Sequence, residues 1–283
     1  MNQKPATAVN PKPAAARVAG HLGELAQGLA APGGPVALVT LPCPLLVTEV
    51  RYTPAPGPLR SDEAIAGKAL AAARGALGFV GRGDWGGEIA IRRACPPGLG
   101  AGTSTAEALG AVRAVAAAFG ARLAPEVEAR LCLAAEGAVD PLMHDEAVLF
   151  ASREGRVLRR LAGLPPMAVI GGFAGGPRET DPADCGFPPM QDIFDDLADA
   201  LAAGDAVRLG RAATASAAAN QARDPNPAWG EIRTLARAVG ALGICVAHTG
   251  SAIALLLPPG ADAQGLRPRL EAAGLKRILA WRI

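Results

Sequence analysis

The residues best suited to chemistry lie in one glycine-rich stretch, Pro96-Pro97-Gly98-Leu99-Gly100-Ala101-Gly102-Thr103-Ser104. Alternate glycines let a backbone curve tightly, take positive φ and approach a ligand with no Cβ in the way. The stretch follows an alternating segment, Glu88 to Arg93, in which Ile89 and Ile91 can face inward. It runs into Thr103 to Phe119, a stretch of helix formers that ends before Gly120. Strand, glycine turn and helix in succession place bare N–H groups at a helix start, where the macrodipole also favours an anion. Thr103 and Ser104 add hydroxyls where a phosphate oxygen or its Mg2+ would sit. The ligand implied carries several phosphate charges, and ATP is the common one. A Walker A loop needs Lys beside the hydroxyl residue, and a dinucleotide fingerprint needs glycine where Thr103 stands; neither is present. A surface turn closing a strand–helix junction would use the same glycines for geometry alone.

Glu136 and Asp140 are four residues apart, which on a continuing helix would place both carboxylates on one face. Mg2+ prefers hard oxygen ligands and keeps several waters, so one carboxylate, a hydroxyl and nucleotide phosphates suffice for it. Asp140 precedes Pro141 and also suits a turn. Glu24, between glycines, either caps a turn or faces a ligand. His248 reads as an orienting or packing histidine, since the three histidines lack the company of metal-site spacings. Gly171 to Gly176 reads as a second glycine-lined loop that shapes an acceptor pocket, with Thr180 or Asp181 at its polar end or facing water.

Around these residues the elements are legible in outline. Val36 to Thr40 and Leu45 to Tyr52 read as short strands, and Asp62 to Leu77 as a helix with Ser61 available as its cap. A helix begins with Pro125 in its first turn and runs to about Gly137. Met167 to Ile170 is strand-like, followed by helices near 191–203, 205–220 and 229–241. Strands at 244–246 and 252–257 flank a His-Thr-Gly turn, and a helix at 267–273 and a strand at 277–281 follow. Strands interleaved with helices define an α/β or α+β class. The chain of 283 residues divides into a flexible N-terminal segment 1–16, an N-terminal subdomain 17–163 and a C-terminal subdomain 164–283.

Lys and Arg number 28 against 26 Asp and Glu, a net charge of +2, so no general field attracts nucleic acid or anionic lipid. The apolar run Ser251 to Leu257 is far short of a membrane span. Five scattered cysteines without a CxxC pair read as reduced thiols, and the expected location is cytoplasmic.

The glycine stretch resembles the central signature of the GHMP kinases (galactokinase, homoserine kinase, mevalonate kinase and relatives), Pro-Pro-Gly-x-Gly-Leu-Gly-Ser-Ser-Ala. Pro96, Pro97, Gly98, Gly100, Gly102 and Ser104 match; Ala101 replaces Leu, Thr103 the first Ser and Thr105 the Ala. Gly20-His21-Leu22-Gly23-Glu24-Leu25-Ala26-Gln27-Gly28, with Leu41-Pro42-Cys43-Pro44 downstream, resembles the first motif of the propanediol-utilisation-type L-threonine kinases. Ala247-His248-Thr249-Gly250-Ser251 resembles the third family motif.

The resemblance implies an α+β fold of two subdomains, an N-terminal S5-like and a C-terminal ferredoxin-like one, with a nucleotide cleft between them. It implies that residues 97–104 (Pro97, Gly98, Leu99, Gly100, Ala101, Gly102, Thr103, Ser104) bind ATP, and that Ser104 and Glu136 hold Mg2+. Asp140 would accept or orient the acceptor hydroxyl, and Glu24, Thr180, Asp181, His248, Thr249, Gly250 and Ser251 would contact the acceptor. The family's Ser-Gly-x-Asp context is not reproduced around Asp140, and the Asp-Thr order of the threonine kinases is reversed at Thr180-Asp181. The activity implied is transfer of the ATP γ-phosphoryl group to a small alcohol. L-threonine is preferred, for cobalamin synthesis; homoserine or another small alcohol is the alternative, and so is a regulatory protein that binds nucleotide without turnover. No nucleic-acid or membrane partner is implied, and a homodimer is allowed.

Overall fold

The structure, a computed structural model, describes residues 10–61, 66–178 and 183–283. The first long strand, β1 (Ala14–Leu29), pairs antiparallel with β2 (Val36–Pro56), which runs unbroken where two short strands were expected. Pro42 and Pro44 are tolerated because the ladder is broken there: Ala19 pairs with Val47, but the next residue, Gly20, pairs with Cys43. Because β1 starts at Ala14, residues 14–16 belong to the sheet and not to the N-terminal segment.

After β3 (Leu59–Arg60) comes α1 (Gly67–Phe79), whose N-cap is Ala66; Ser61 therefore does not cap it, and 62–65 of the expected helix lie outside the described residues. Strand β4 (Trp85–Arg93) leads through the glycine turn into α2 (Thr103–Ala118), then α3 (Pro125–Glu136) and the hairpin β5 (Val148–Ala151) and β6 (Arg156–Arg160). The second half holds β7 (Ala168–Phe173), α4 (Gln191–Ala203), α5 (Ala206–Asn220), α6 (Trp229–Ala238), β8 (Gly243–Val246), β9 (Ala252–Leu257), α7 (Arg267–Ala272) and β10 (Lys276–Arg282). Its strand order, β10-β7-β9-β8 with every neighbour antiparallel, is that of a ferredoxin-like βαββαβ unit.

The two halves are not separate sheets. Strand β1 pairs with β8 through Glu24 and Val246, giving one ten-stranded sheet in the order β10-β7-β9-β8-β1-β2-β4-β3, with β5 paired to β2. Gly171 and Gly172 lie within β7, not in a loop: a Cβ on either would meet the main chain of β9 or β10 at 2.4–2.7 Å. They are packing glycines.

One core lies under α1, α2 and α3, where Val18, Val50, Tyr52, Ile89, Leu109 and Val112 are buried. A second straddles both halves, packing Leu22, Leu25 and Val39 against Phe194, Leu197 and Leu209 of α4 and α5. Gly110 lets α2 lie directly on β2, since a Cβ there would stand 2.6 Å from Val50 Cγ2. Helix α3 is tied to α2 by a two-pronged ion pair, Arg113 Nε and Nη2 to the Glu128 carboxylate at 2.9 and 2.8 Å. Glu128 is buried, so this pair fixes the helix whose far end carries Glu136.

Arg113→Leu leaves the Glu128 carboxylate buried without its partner, and unfolding stability should fall by about 3 kcal/mol. Urea unfolding of the variant checks this; a loss below about 1 kcal/mol would remove the pair as the clamp on α3.

Candidate functional site

The glycine turn is built so that its carbonyls face the protein. Gly98 O accepts from Arg178 N, Leu99 O from Ser251 N and Ala252 N, Gly100 O from Gly23 N, Ala101 O from His21 N, and Gly102 O from Ala106 N. The N–H groups of residues 98–105 make no hydrogen bond to any described residue, and no side chain caps α2. Gly98, Gly100 and Gly102 all have positive φ, from 65 to 84°. A Cβ on Gly100 would stand 2.2 Å from Ala247 Cβ, and one on Gly102 2.7 Å from the His21 ring. Left-handed glycines and carbonyls turned into the protein leave a run of free donors at the start of a sixteen-residue helix, an anion cradle.

Gly98, Gly100, Ala101, Gly102, Thr103 and Ser104 line one cleft with Lys68, Glu136, Asp140, His21, Glu24, Gln27, Arg153, Arg178, Phe187 and Thr249. Leu99 does not reach it; its side chain is in the core. Pro97 also lies outside the lining, and the Thr103 hydroxyl is 3.3 Å from Cys95 Sγ. Ser104 Oγ donates to Glu136 Oε2 at 2.6 Å, while Glu136 Oε1 is buried with no partner. Burial pushes the Glu136 carboxyl up to about 7; the nearby Asp140 charge adds to this, and the Ser104 bond and Lys68 oppose it. A buried carboxylate oxygen in want of a cation, beside a hydroxyl and a phosphate cradle, fits Mg2+ as oxygen ligand. When bound, the ion would neutralise charge on the nucleotide phosphates.

Glu136 and Asp140 do not share a helix face. Helix α3 ends where Gly137 turns left-handed (φ 79°), and Asp140 sits in the following loop, its N–H donating to Thr105 Oγ1 at 3.3 Å. The loop still brings its carboxylate to the same cleft. Glu24 is more committed than the sequence implied: Oε2 accepts from His248 N at 2.8 Å and lies 3.2 Å from His248 Nδ1. His248 Nε2 in turn is 3.0 Å from Ser216 Oγ. His248, Gly250 and Ser251 are therefore supports rather than walls, and only Thr249 of that segment lines the cleft. Gly250 packs on the cradle, where a Cβ would stand 2.5 Å from Gly100 N. Thr180 and Asp181 lie outside the described residues.

Sequence reasoning missed Lys68, Arg153, Arg178 and Phe187, which lie far apart in the chain and carry no motif, and it passed over Gln27 within the first motif. It also undervalued His21. A regular strand would send His21 and Glu24 to opposite faces, but a bulge with Gly23 at φ 78° turns both to one side. The guanidinium groups of Arg153 and Arg223 stand 5.6 and 4.1 Å from the centroid of the Phe187 ring, and both also bond to Asp184. Cys43, Cys95, Cys132 and Cys245 are buried, with burial pushing each thiol up, so they are packing groups; Cys185 is exposed. Among the described residues no helix is long and apolar enough to cross a membrane.

The family profile "GHMP kinases N terminal domain" matches residues 64–145, and "GHMP kinases C terminal" matches 197–276. Together they span both halves of the cleft and more than half of the chain. The chain belongs to the GHMP kinase superfamily. Its fold is similar to that of L. major mevalonate kinase in complex with R-mevalonate (TM-score 0.68, 18% identity, 100% of this chain and 98% of that one). It is similar also to homoserine kinase from Cytophaga hutchinsonii (TM-score 0.68, 16% identity, 99% and 96%). A third is Streptococcus pneumoniae phosphomevalonate kinase (TM-score 0.67, 14% identity, 96% and 100%). At these identities the likeness is one of fold. No curated protein matches the chain significantly in sequence.

Glu136→Gln and Ser104→Ala should each lower ATP-dependent turnover by at least about 10–100-fold, the range that even outer partners of a metal command. The Glu136→Gln protein should unfold at the same temperature or higher, since a neutral amide avoids the cost of a buried charge. Unchanged rates in well-folded variants would remove both assignments.

Proposed function

We propose that the protein is a Mg-ATP-dependent kinase that transfers the γ-phosphoryl group to the hydroxyl of a small metabolite, with L-threonine as the preferred acceptor and O-phospho-L-threonine as the product. The observation that carries the kinase reading is the cradle: uncommitted amides at the start of α2 beside Ser104 and an unpartnered Glu136 oxygen. Phosphoryl transfer asks a protein for positioning and charge neutralisation more than for covalent chemistry, and the cleft is equipped for that. The amides and Lys68 hold the phosphates. Asp140 orients the acceptor hydroxyl, whose oxygen attacks the γ-phosphorus as the bond to ADP breaks. Its proton passes to the Asp140 carboxylate.

Threonine as acceptor is supported by two features. The Gly20–Gly28 segment, which resembles the threonine kinases, forms part of the cleft wall through His21, Glu24 and Gln27. Arg153 lines the same cleft with no acidic side chain paired to it, its only hydrogen bond among described residues being to the Asp184 carbonyl, so it suits an acceptor carboxylate. The role in cobalamin synthesis rests on the resemblance of that first segment alone.

ATP consumption measured over L-threonine, L-threoninamide, homoserine and mevalonate tests this. L-threonine should be turned over best. Arg153→Met should raise KM for L-threonine about 10–100-fold, the worth of a charged hydrogen bond, and leave KM for ATP within about two-fold. Faster turnover of homoserine would change the acceptor and keep the kinase. Mg-ATP binding by calorimetry with no turnover of any alcohol would leave a nucleotide-binding regulator.

A further inference from the structure

The imidazole of His21 is 1% exposed, yet neither ring nitrogen makes an aligned hydrogen bond. Nε2 stands 3.2 Å from Asp140 Oδ2 and Nδ1 3.7 Å from Glu24 Oε1. Each nitrogen thus faces a different carboxylate, at ion-pair distance. The ring has little freedom to leave: its own N–H is bonded to Ala101 O, and Gly102 lies close enough that any side chain there would overlap the ring. Glu24 is fixed in turn by His248, itself bonded to Ser216, two groups from the other half of the molecule. Asp140 alone is partly open, its side chain 24% exposed and lining the cleft.

A neutral imidazole between two carboxylates would leave one of its nitrogens as an acceptor facing an acceptor, a repulsive arrangement in a buried site. An imidazolium satisfies both sides. We propose that His21 is a buried cationic wedge, a positioning residue that holds the Asp140 carboxylate turned towards the acceptor hydroxyl. This rests on the kinase reading of the cleft. Both ring nitrogens already carry protons, so the wedge is not the proton acceptor. The hydroxyl proton goes to Asp140 and leaves by its exposed edge.

Burial alone would lower the His21 pKa, but Asp140 and Glu24 together raise it to about 8. The charged groups facing the ring are Asp140 from the loop after α3 and Glu24 from β1, with the main chain of Gly102 at the start of α2. The Asp140 charge also acts on Glu136. A second cavity on which His21 also borders holds Arg17, Arg113, His144, Asp145 and Glu146, with Arg113 already paired to Glu128. The wedge is therefore complete below about pH 8 and fails as the pH rises through that value, so kcat should fall on the alkaline side.

The side-chain types of His21, Glu24 and Asp140 would also suit a divalent cation, and the experiment separates the two. NMR titration of the His21 ring in the intact protein should show protonation near 8, dropping by about one unit or more in Asp140→Asn. In kinetics, His21→Gln should lower kcat on the order of 10–100-fold, with KM for ATP unmoved, and abolish the alkaline limb. His21→Lys should retain part of the rate and move that limb upward. The proposal is overturned if the ring titrates at or below its ordinary 6.5, if Asp140→Asn leaves it unmoved, or if His21→Gln keeps the wild-type kcat and profile. Displacement of the ring proton by Zn2+, read as loss of the titration near 8, would replace the wedge with a cation site. The titration decides these points even if no alcohol is phosphorylated, whereas the acceptor panel decides the kinase reading.

Discussion

The site depends on where the carbonyls of five consecutive residues go. From Gly98 to Gly102 each carbonyl is held by a donor elsewhere in the protein: Arg178, Ser251 with Ala252, Gly23, His21 and Ala106. Peptide groups so fixed must present their N–H groups to the other side, which is the cleft. Four of the five positions are secured from segments remote in sequence, on β1, beside β7 and before β9. The cradle is thus a product of the whole fold and not of the local turn. Preorganised donors of this kind cost nothing to reorient when charge arrives, which is their advantage in binding phosphates.

The same bonds explain why the two halves share one sheet. Glu24 pairs with Val246 across the β1–β8 seam, and one residue before it Gly23 contacts both the cradle and β8, where a Cβ would stand 2.6 Å from Val246 C. The seam and the cradle are consequently built from the same few residues. A shift of the C-terminal half would move the donors at Ser251 and Ala252 and with them the Leu99 carbonyl.

Local features were legible from the chain. Alternation in β4, the glycine turn and an uninterrupted helix-forming run located the cradle, and the resemblance paired Ser104 with Glu136, whose side chains the structure joins by a hydrogen bond. Pro125 and Gly137 marked both ends of α3. What spacing could not reveal depended on distant chain. Asp140 reaches the cleft by a loop bonded to Thr105, not by helical periodicity. Pro42 and Pro44 of β2 suggested a break, yet they sit where the register of the β1–β2 ladder shifts and the strand runs on. Gly171 and Gly172 resembled a loop because close strand packing and turn geometry select the same residue. His21 gave no signal, since its environment comes from three separate segments.

The two ends of the cleft differ in how freely they can change. At the cradle end, His21, Glu24, His248 and Ser216 form a buried chain that crosses between the halves, and Glu24 serves as support on both sides. Replacing any one member strands a polar partner without water, so this end is held by the fold as well as by chemistry. The other reach, lined by Gln27, Ser152, Arg153 and Phe187, is less bound. Arg153 leans on Phe187 and one carbonyl, and its loss would leave no carboxylate stranded. On the proposed role of Arg153 in holding the acceptor carboxylate, a change there would alter acceptor choice and leave the carbonyl bonds of the cradle untouched. Such a separation would let one phosphate-binding scaffold serve different alcohols.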